Sequence, residues 1–64
     1  MGISQFLAMI GLSSLEGLFV KEAITLDVLA GMTHDDLKSL GIAAFGTRFL
    51  LLKNIEKLAR GNAG

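Results

Sequence analysis

The chain contains no cysteine, no proline, no tryptophan and no tyrosine, and its only histidine is His34. Without cysteine there can be no disulfide bonds and no thiolate metal sites, and one histidine is too few for a typical zinc site. A chain that lacks proline and is 52% hydrophobic is more typical of a compact helical domain than of a disordered segment. No nucleophile–base pair or cluster of metal ligands is apparent, so we expect a non-enzyme with no metal, cofactor or small-molecule substrate.

Long apolar runs are also missing. Glu16, Lys21, Glu22 and Asp27 interrupt the hydrophobic first half, so no segment reaches the length of a transmembrane helix and we expect no membrane contact. The total length of 64 residues predicts one domain, near the lower size limit for a core that folds without disulfides or metals.

The net charge is zero, but the two signs are unevenly distributed along the chain. Residues 1–47 carry five acidic and two basic side chains, a net charge of −3, whereas residues 48–64 carry four basic and one acidic, a net charge of +3. A neutral molecule with one acidic and one basic end is suited to contacts with copies of itself. A solvated surface without a partner explains the same pattern.

Apolar residues at spacings of three and four predict three short helices in the first half, at residues 3–10, 15–21 and 26–30. Ser4, the pair Ser13–Ser14 and Thr25 are the predicted N-caps of these helices. The periodicity of the third helix turns Asp27 and Val28 towards solvent.

Two further helices are predicted in the second half. Thr33 and Asp36 have the spacing of a capping box at the start of a fourth helix, which Gly41 ends, with Ile42 as the apolar contact beyond it. A fifth helix over residues 44–60 is the longest segment and the expected spine of the fold.

One face of the predicted fifth helix carries the residues expected to pack in the core: Arg48, Leu51, Leu52, Ile55 and Leu58. Phe49 and Leu50 are left for solvent, where they could form a binding patch, unless a rotated helix buries one of them against the first helix. Arg48 has two open roles, either a packed side chain with its head near carbonyls of the fourth helix or a direct interface residue.

Three short motifs occur in order along the chain: the corner Gly11-Leu12, the corner Gly41-Ile42 and the helix opening Gly46-Thr47-Arg48. Together with the five predicted helices they resemble the sterile alpha motif (SAM) domain. Within that family, the run Ile24-Thr25-Leu26-Asp27-Val28-Leu29 and the pattern Gly-Ile-x-Ala-aromatic-Gly-x-Arg at residues 41–48 are similar to the tankyrase type, and the second pattern is also similar to the Bicaudal-C type. The resemblance implies an all-α fold, a compact five-helix bundle with a long C-terminal helix. It predicts a single domain over residues 1–64, with a core at about 6–60 and a frayed tail at 61–64.

The resemblance also implies a function, because SAM domains mediate protein–protein contacts and many self-associate head to tail into oligomers or helical polymers. One contact surface, here called the mid-loop surface, corresponds to Glu22, Asp27, Val28 and Asp35. The other, here called the end-helix surface, corresponds to Phe45, Thr47, Arg48, Phe49, Leu50 and Lys53. The related pattern has tyrosine where this chain has Phe45, which removes one hydroxyl and retains the apolar ring.

The resemblance leaves alternatives open. The same two surfaces could pair with another SAM domain, and some SAM domains bind RNA hairpins through a basic cluster around the fifth helix. Phosphate binding needs several cations on one face, and here Arg48 and Lys53 stand alone, so nucleic acid is not the expected partner. The family resemblance implies an intracellular location, in the cytoplasm or the nucleus. His34 is predicted to be a solvated surface residue.

Overall fold

The computed structural model describes residues 1–61 and contains five α-helices and one short 3-10 turn, with no strand in that range. The elements in chain order are α1 (Ile3–Met9), the 3-10 turn (Ser13–Leu15), α2 (Glu16–Lys21), α3 (Leu26–Ala30), α4 (His34–Ser39) and α5 (Phe45–Gly61). The predicted all-α bundle with a long C-terminal helix is confirmed. Gly61 belongs to α5, and the predicted fraying of residues 62–64 lies outside the described residues.

The core draws apolar side chains from every helix. Its buried members are Phe6, Leu7, Phe19, Ile24, Leu29, Leu37, Ile42, Leu51 and Ile55. Both α3 and α4 pack against α5, and α1 packs against α2. Leu52 and Leu58 are partly buried against this core, so the face of α5 predicted from its periodicity is the one that packs.

Two of the predicted helix caps are present and two are not. Thr25 Oγ1 accepts the Val28 N–H at 3.3 Å, and Thr33 forms a full capping box with Asp36. Ser4 does not cap α1, because the helix begins one residue earlier at Ile3 and Gly2 is its N-cap. Neither Ser13 nor Ser14 caps α2, because those residues form the 3-10 turn that leads into it.

Three helices end in the same left-handed corner. In each corner an N–H bonds the carbonyl five residues back: Leu12 to Leu7 at 2.8 Å, Ile24 to Phe19 at 2.8 Å and Ile42 to Leu37 at 3.1 Å. This is the Schellman pattern, which places the preceding residue at positive φ. That residue is Gly11 (φ 76°), Ala23 (φ 57°) or Gly41 (φ 112°). The glycine corners were predicted, whereas the corner at Ala23 was not.

Candidate interaction surfaces

The start of α5 presents a row of exposed apolar side chains. Phe45 is 63% exposed, Phe49 47% and Leu50 43%. The ring centroids of Phe45 and Phe49 lie 6.4 Å apart, and Lys53 Nζ lies 6.0 Å from the Phe49 centroid. The distances fit an offset aromatic pair and a cation–π contact, so the row runs from two rings to a positive charge.

The exposure of Phe49 and Leu50 decides between the two orientations considered for α5. A rotation that buried one of them against α1 would leave its side chain inaccessible, yet both are exposed. The alternative with a rotated helix is therefore wrong. Thr47 on the same segment is half-buried.

His34 extends this row, although the sequence predicted only a solvated surface residue. Its imidazole stacks on the Phe45 ring, with centroids 4.9 Å apart and planes 1° from parallel, and the side chain is partly buried. His34 begins α4 and Phe45 begins α5. The available sequence signal was the corner at Gly41, which turns the chain back and allows the two helix starts to meet.

Arg48 lies beneath this row rather than on it. The side chain is only 8% exposed, and its Nη1 donates to the carbonyls of Ile42 at 2.7 Å and Ala43 at 2.8 Å. Its Nε donates to Nδ1 of His34 at 3.4 Å, and its Cζ lies 5.7 Å from the Phe45 centroid. These acceptor carbonyls belong to the α4–α5 connection. The sequence had predicted acceptor carbonyls within α4 instead. Arg48 therefore fixes the base of the end-helix surface.

The residues predicted for the mid-loop surface are all exposed: Glu22, Asp27, Val28 and Asp35. Glu22 is the C-cap residue of α2, directly before the Ala23 corner, and Asp27 and Val28 lie on the outer side of α3. Asp35 follows His34 in the first turn of α4 and is exposed.

Asp27 adjoins a shallow depression between α3 and α5. The depression has a volume of about 190 Å³, and Asp27 lines it together with Leu26, Ala30, Ile55, Leu58 and Ala59. The small side chains at 30 and 59 leave the space open, and the lining is mostly apolar. An apolar side chain from outside could enter here beside a carboxylate.

The depression and the aromatic row lie at different positions along α5. Phe45 and Phe49 occupy its first two turns, whereas the depression is lined by residues of its second half, from Ile55 onward. The six residues from Phe49 to Ile55 correspond to about 9 Å along a helix. The two candidate surfaces are therefore distinct, and Asp27 does not share a patch with the rings.

Within residues 1–61, no helix has the length and hydropathy needed to cross a bilayer. The same range contains no group of three histidine, aspartate or glutamate side chains placed to hold a metal ion.

Comparison with known proteins agrees with this fold. A profile of the family described as "SAM domain (Sterile alpha motif)" matches residues 2–59. The mitogen-activated protein kinase adapter protein MST50 of Pyricularia oryzae is 38% identical over 52 residues. That alignment covers 81% of this chain but only 11% of the relative, so the chain spans a small part of that protein's length. With five helices in the expected order and a family match over nearly all of them, this chain belongs to the SAM domain family.

Proposed function

We propose that this domain self-associates head to tail, with the end-helix surface of one copy bound to the mid-loop surface of the next. Membership of the SAM family and a relative named as an adapter protein support a protein-interaction module. The finer proposal of a head-to-tail polymer depends on the two surfaces themselves. The alternative is hetero-association, in which the same two surfaces bind a different SAM domain.

The observation that carries the proposal is the row of exposed apolar side chains at the start of α5. Phe45, Phe49 and Leu50 form an exposed apolar group in a domain of 64 residues. Exposed apolar groups of this kind, bordered by polar side chains, are typical of binding surfaces. Arg48 holds the start of the helix in place by two short hydrogen bonds, so the row is preorganised and little side-chain ordering is needed on binding.

The charges of the two surfaces are complementary. The cation of the end-helix surface is Lys53, since the Arg48 guanidinium is occupied within the domain. The mid-loop surface carries Glu22 and Asp27 next to the apolar side chain of Val28, which is 47% exposed. Apolar contact between Val28 and the rings, with opposite charges at the edge, provides both affinity and orientation.

The separation of the surfaces predicts an open assembly. Two different patches that bind each other form a heterologous contact, which adds copies until a rotation closes the ring. A two-fold dimer would need one self-complementary patch. The distance of about 9 Å along α5 between Phe49 and the nearest lining residue of the depression beside Asp27 argues for two patches.

Binding of an RNA hairpin has weaker support. A phosphate-binding surface needs several converging cations, and Arg48 uses its guanidinium on the carbonyls of Ile42 and Ala43. Lys53 remains as the exposed cation of the row, and its ammonium lies over the Phe49 ring.

The tankyrase-like and Bicaudal-C-like pattern remains a prediction. The relative MST50 is named as a kinase adapter protein, so the support for head-to-tail association comes from the exposed residues and not from that subtype.

Complementation of two single-surface variants tests the proposal. Phe45→Ala removes the central ring of the end-helix surface, and Asp27→Arg reverses the charge of the mid-loop surface. Each variant alone should be monomeric in sedimentation velocity, because each retains only one working surface. An equimolar mixture should form a 1:1 complex through the remaining pair of surfaces.

Two control variants separate binding from folding. Val20 is 63% exposed, the same as Phe45, and belongs to neither surface, so Val20→Ala should associate like the original chain. Glu16 is an acid in the first turn of α2, as Asp27 is in α3, so Glu16→Arg reproduces the loss of a favourable helix-dipole contact. It also removes the carboxylate that accepts a hydrogen bond from Ser4 Oγ, which makes it the more demanding control for folding. A mixture that remains monomeric, while circular dichroism shows both variants folded, would contradict the proposal.

A further inference from the structure

The imidazole of His34 is held in one orientation by two contacts. Its ring plane lies parallel to Phe45 at a centroid distance of 4.9 Å, and its Nδ1 accepts a hydrogen bond from Arg48 Nε at 3.4 Å. Arg48 is itself fixed by two shorter bonds to backbone carbonyls. An imidazole that accepts at Nδ1 carries its proton on Nε2 when neutral. The geometry therefore defines both the tautomer and the direction of the remaining N–H.

The Nε2–H of His34 is open to solvent. It has no hydrogen-bond partner among residues 1–61, and that part of the chain contains no buried side-chain polar atom without a partner. The Nε2 atom of the partly buried His34 is therefore not itself buried and retains contact with solvent. The ring thus offers one donor beside the exposed face of Phe45.

The end-helix surface consequently has a hydrogen-bond donor at each end. His34 Nε2–H lies at one end of the row, the rings of Phe45 and Phe49 occupy the middle, and the Lys53 ammonium lies at the other end. A segment that fits this arrangement has an apolar side chain for the rings and carboxylates beside it. The mid-loop surface of this same chain has that composition, because Val28 and the acids Glu22 and Asp27 are all exposed there.

We infer that His34 is a specificity residue of the end-helix surface, whose Nε2–H donates a hydrogen bond to a mid-loop carboxylate of the neighbouring copy. This inference rests on the proposed head-to-tail association and adds a residue that lies outside α5. A hydrogen bond to a charged acceptor is stronger than one between neutral groups. It also discriminates against partners that present an apolar or amide side chain at that point.

The test uses the heterodimer in which the Asp27→Arg copy offers its end-helix surface and the Phe45→Ala copy offers its mid-loop surface. His34→Phe retains a ring that stacks on Phe45 but removes the Nε2–H, together with the Nδ1 atom that accepts from Arg48 Nε. Placed in the Asp27→Arg copy, it should raise the Kd of the heterodimer about tenfold. Placed in the Phe45→Ala copy, whose end-helix surface is unused, the same substitution should leave the Kd unchanged. This second placement controls for any effect of His34 on folding.

A double-mutant cycle identifies the acceptor. Glu22→Gln, Asp27→Asn and Asp35→Asn are introduced separately into the Phe45→Ala copy, and the Kd is measured against both versions of the other copy by isothermal titration calorimetry. If the inference holds, one of the three amide variants weakens binding and adds nothing to the effect of His34→Phe. Equal Kd values for the two placements of His34→Phe, or additive effects with all three amide variants, would overturn the inference and leave the proposed function standing. Absence of the parent heterodimer would overturn both.

Discussion

The first residues of α4 and α5 contact each other directly: the imidazole of His34 lies flat on the ring of Phe45, with centroids 4.9 Å apart and an angle of 1° between the planes. The contact joins two helices at the surface where an exposed aromatic row begins. Because Arg48 bonds both His34 and the α4–α5 connection, this surface is built on a rigid base.

We expect the buried hydrogen bonds and packing of Arg48 to stabilise the fold more than an exposed arginine would. Arg48→Ala leaves the carbonyls of Ile42 and Ala43 without their donor and removes a packed side chain, so we expect the free energy of unfolding to fall by about 3 kcal/mol. Urea denaturation followed by circular dichroism measures this loss.

Arg60→Ala is the matched control for Arg48. Arg60 is 71% exposed and pairs with Glu56 at 3.2 Å one turn away, so its removal should cost less than about 1 kcal/mol. Equal losses for the two arginine variants would show that the hydrogen bonds of Arg48 do not stabilise the fold.

The Schellman corners predict opposite effects for reciprocal substitutions. Gly41 has φ 112°, and a Cβ added there would meet no other atom within 4 Å, so Gly41→Ala should cost about 1–2 kcal/mol through backbone strain alone. Ala23 holds the same kind of position at φ 57°, so Ala23→Gly should raise the free energy of unfolding by up to about 1 kcal/mol. Thermal and urea denaturation of both variants check the signs, and a stabilising Gly41→Ala would contradict this explanation of the corner.

Leu50 and Leu51 are neighbours on α5 with different environments. Leu51 is fully buried and Leu50 is 43% exposed. Leu51→Ala should therefore destabilise the domain by about 2–5 kcal/mol, whereas Leu50→Ala should change stability little and weaken association. Denaturation combined with sedimentation velocity separates the two effects. An orientation of α5 different from the one described would reverse this order.

The sequence predicted those features that depend on local rules. The capping box of Thr33 and Asp36, the corners at Gly11 and Gly41 and the buried face of α5 all follow from residue type at fixed spacing. The corner at Ala23 was missed because alanine seldom adopts positive φ and nothing local marks it there. In that corner Ile24, the residue after Ala23, is buried in the core and its N–H donates to the Phe19 carbonyl, so the conformation of Ala23 accompanies a tertiary contact and not a local signal.

The candidate surfaces were predicted less completely than the fold. Exposure of Phe49 and Leu50 follows from the periodicity of α5, whereas the family resemblance placed Phe45 on the surface, and all three side chains are exposed in the structure. The contact between His34 and Phe45 joins residues that are eleven positions apart on different helices. It depends on how α4 packs against α5, which periodicity within either helix does not determine. Burial of Arg48 likewise depends on the path of the α4–α5 connection.

Sedimentation velocity of the unmodified chain, from low micromolar to hundreds of micromolar concentration, tests the central claim most directly. Head-to-tail association through two distinct surfaces predicts a weight-average sedimentation coefficient that continues to rise past that of a dimer as the concentration increases. A coefficient that remains at the monomer value throughout, or that reaches a plateau at a dimer, would contradict it.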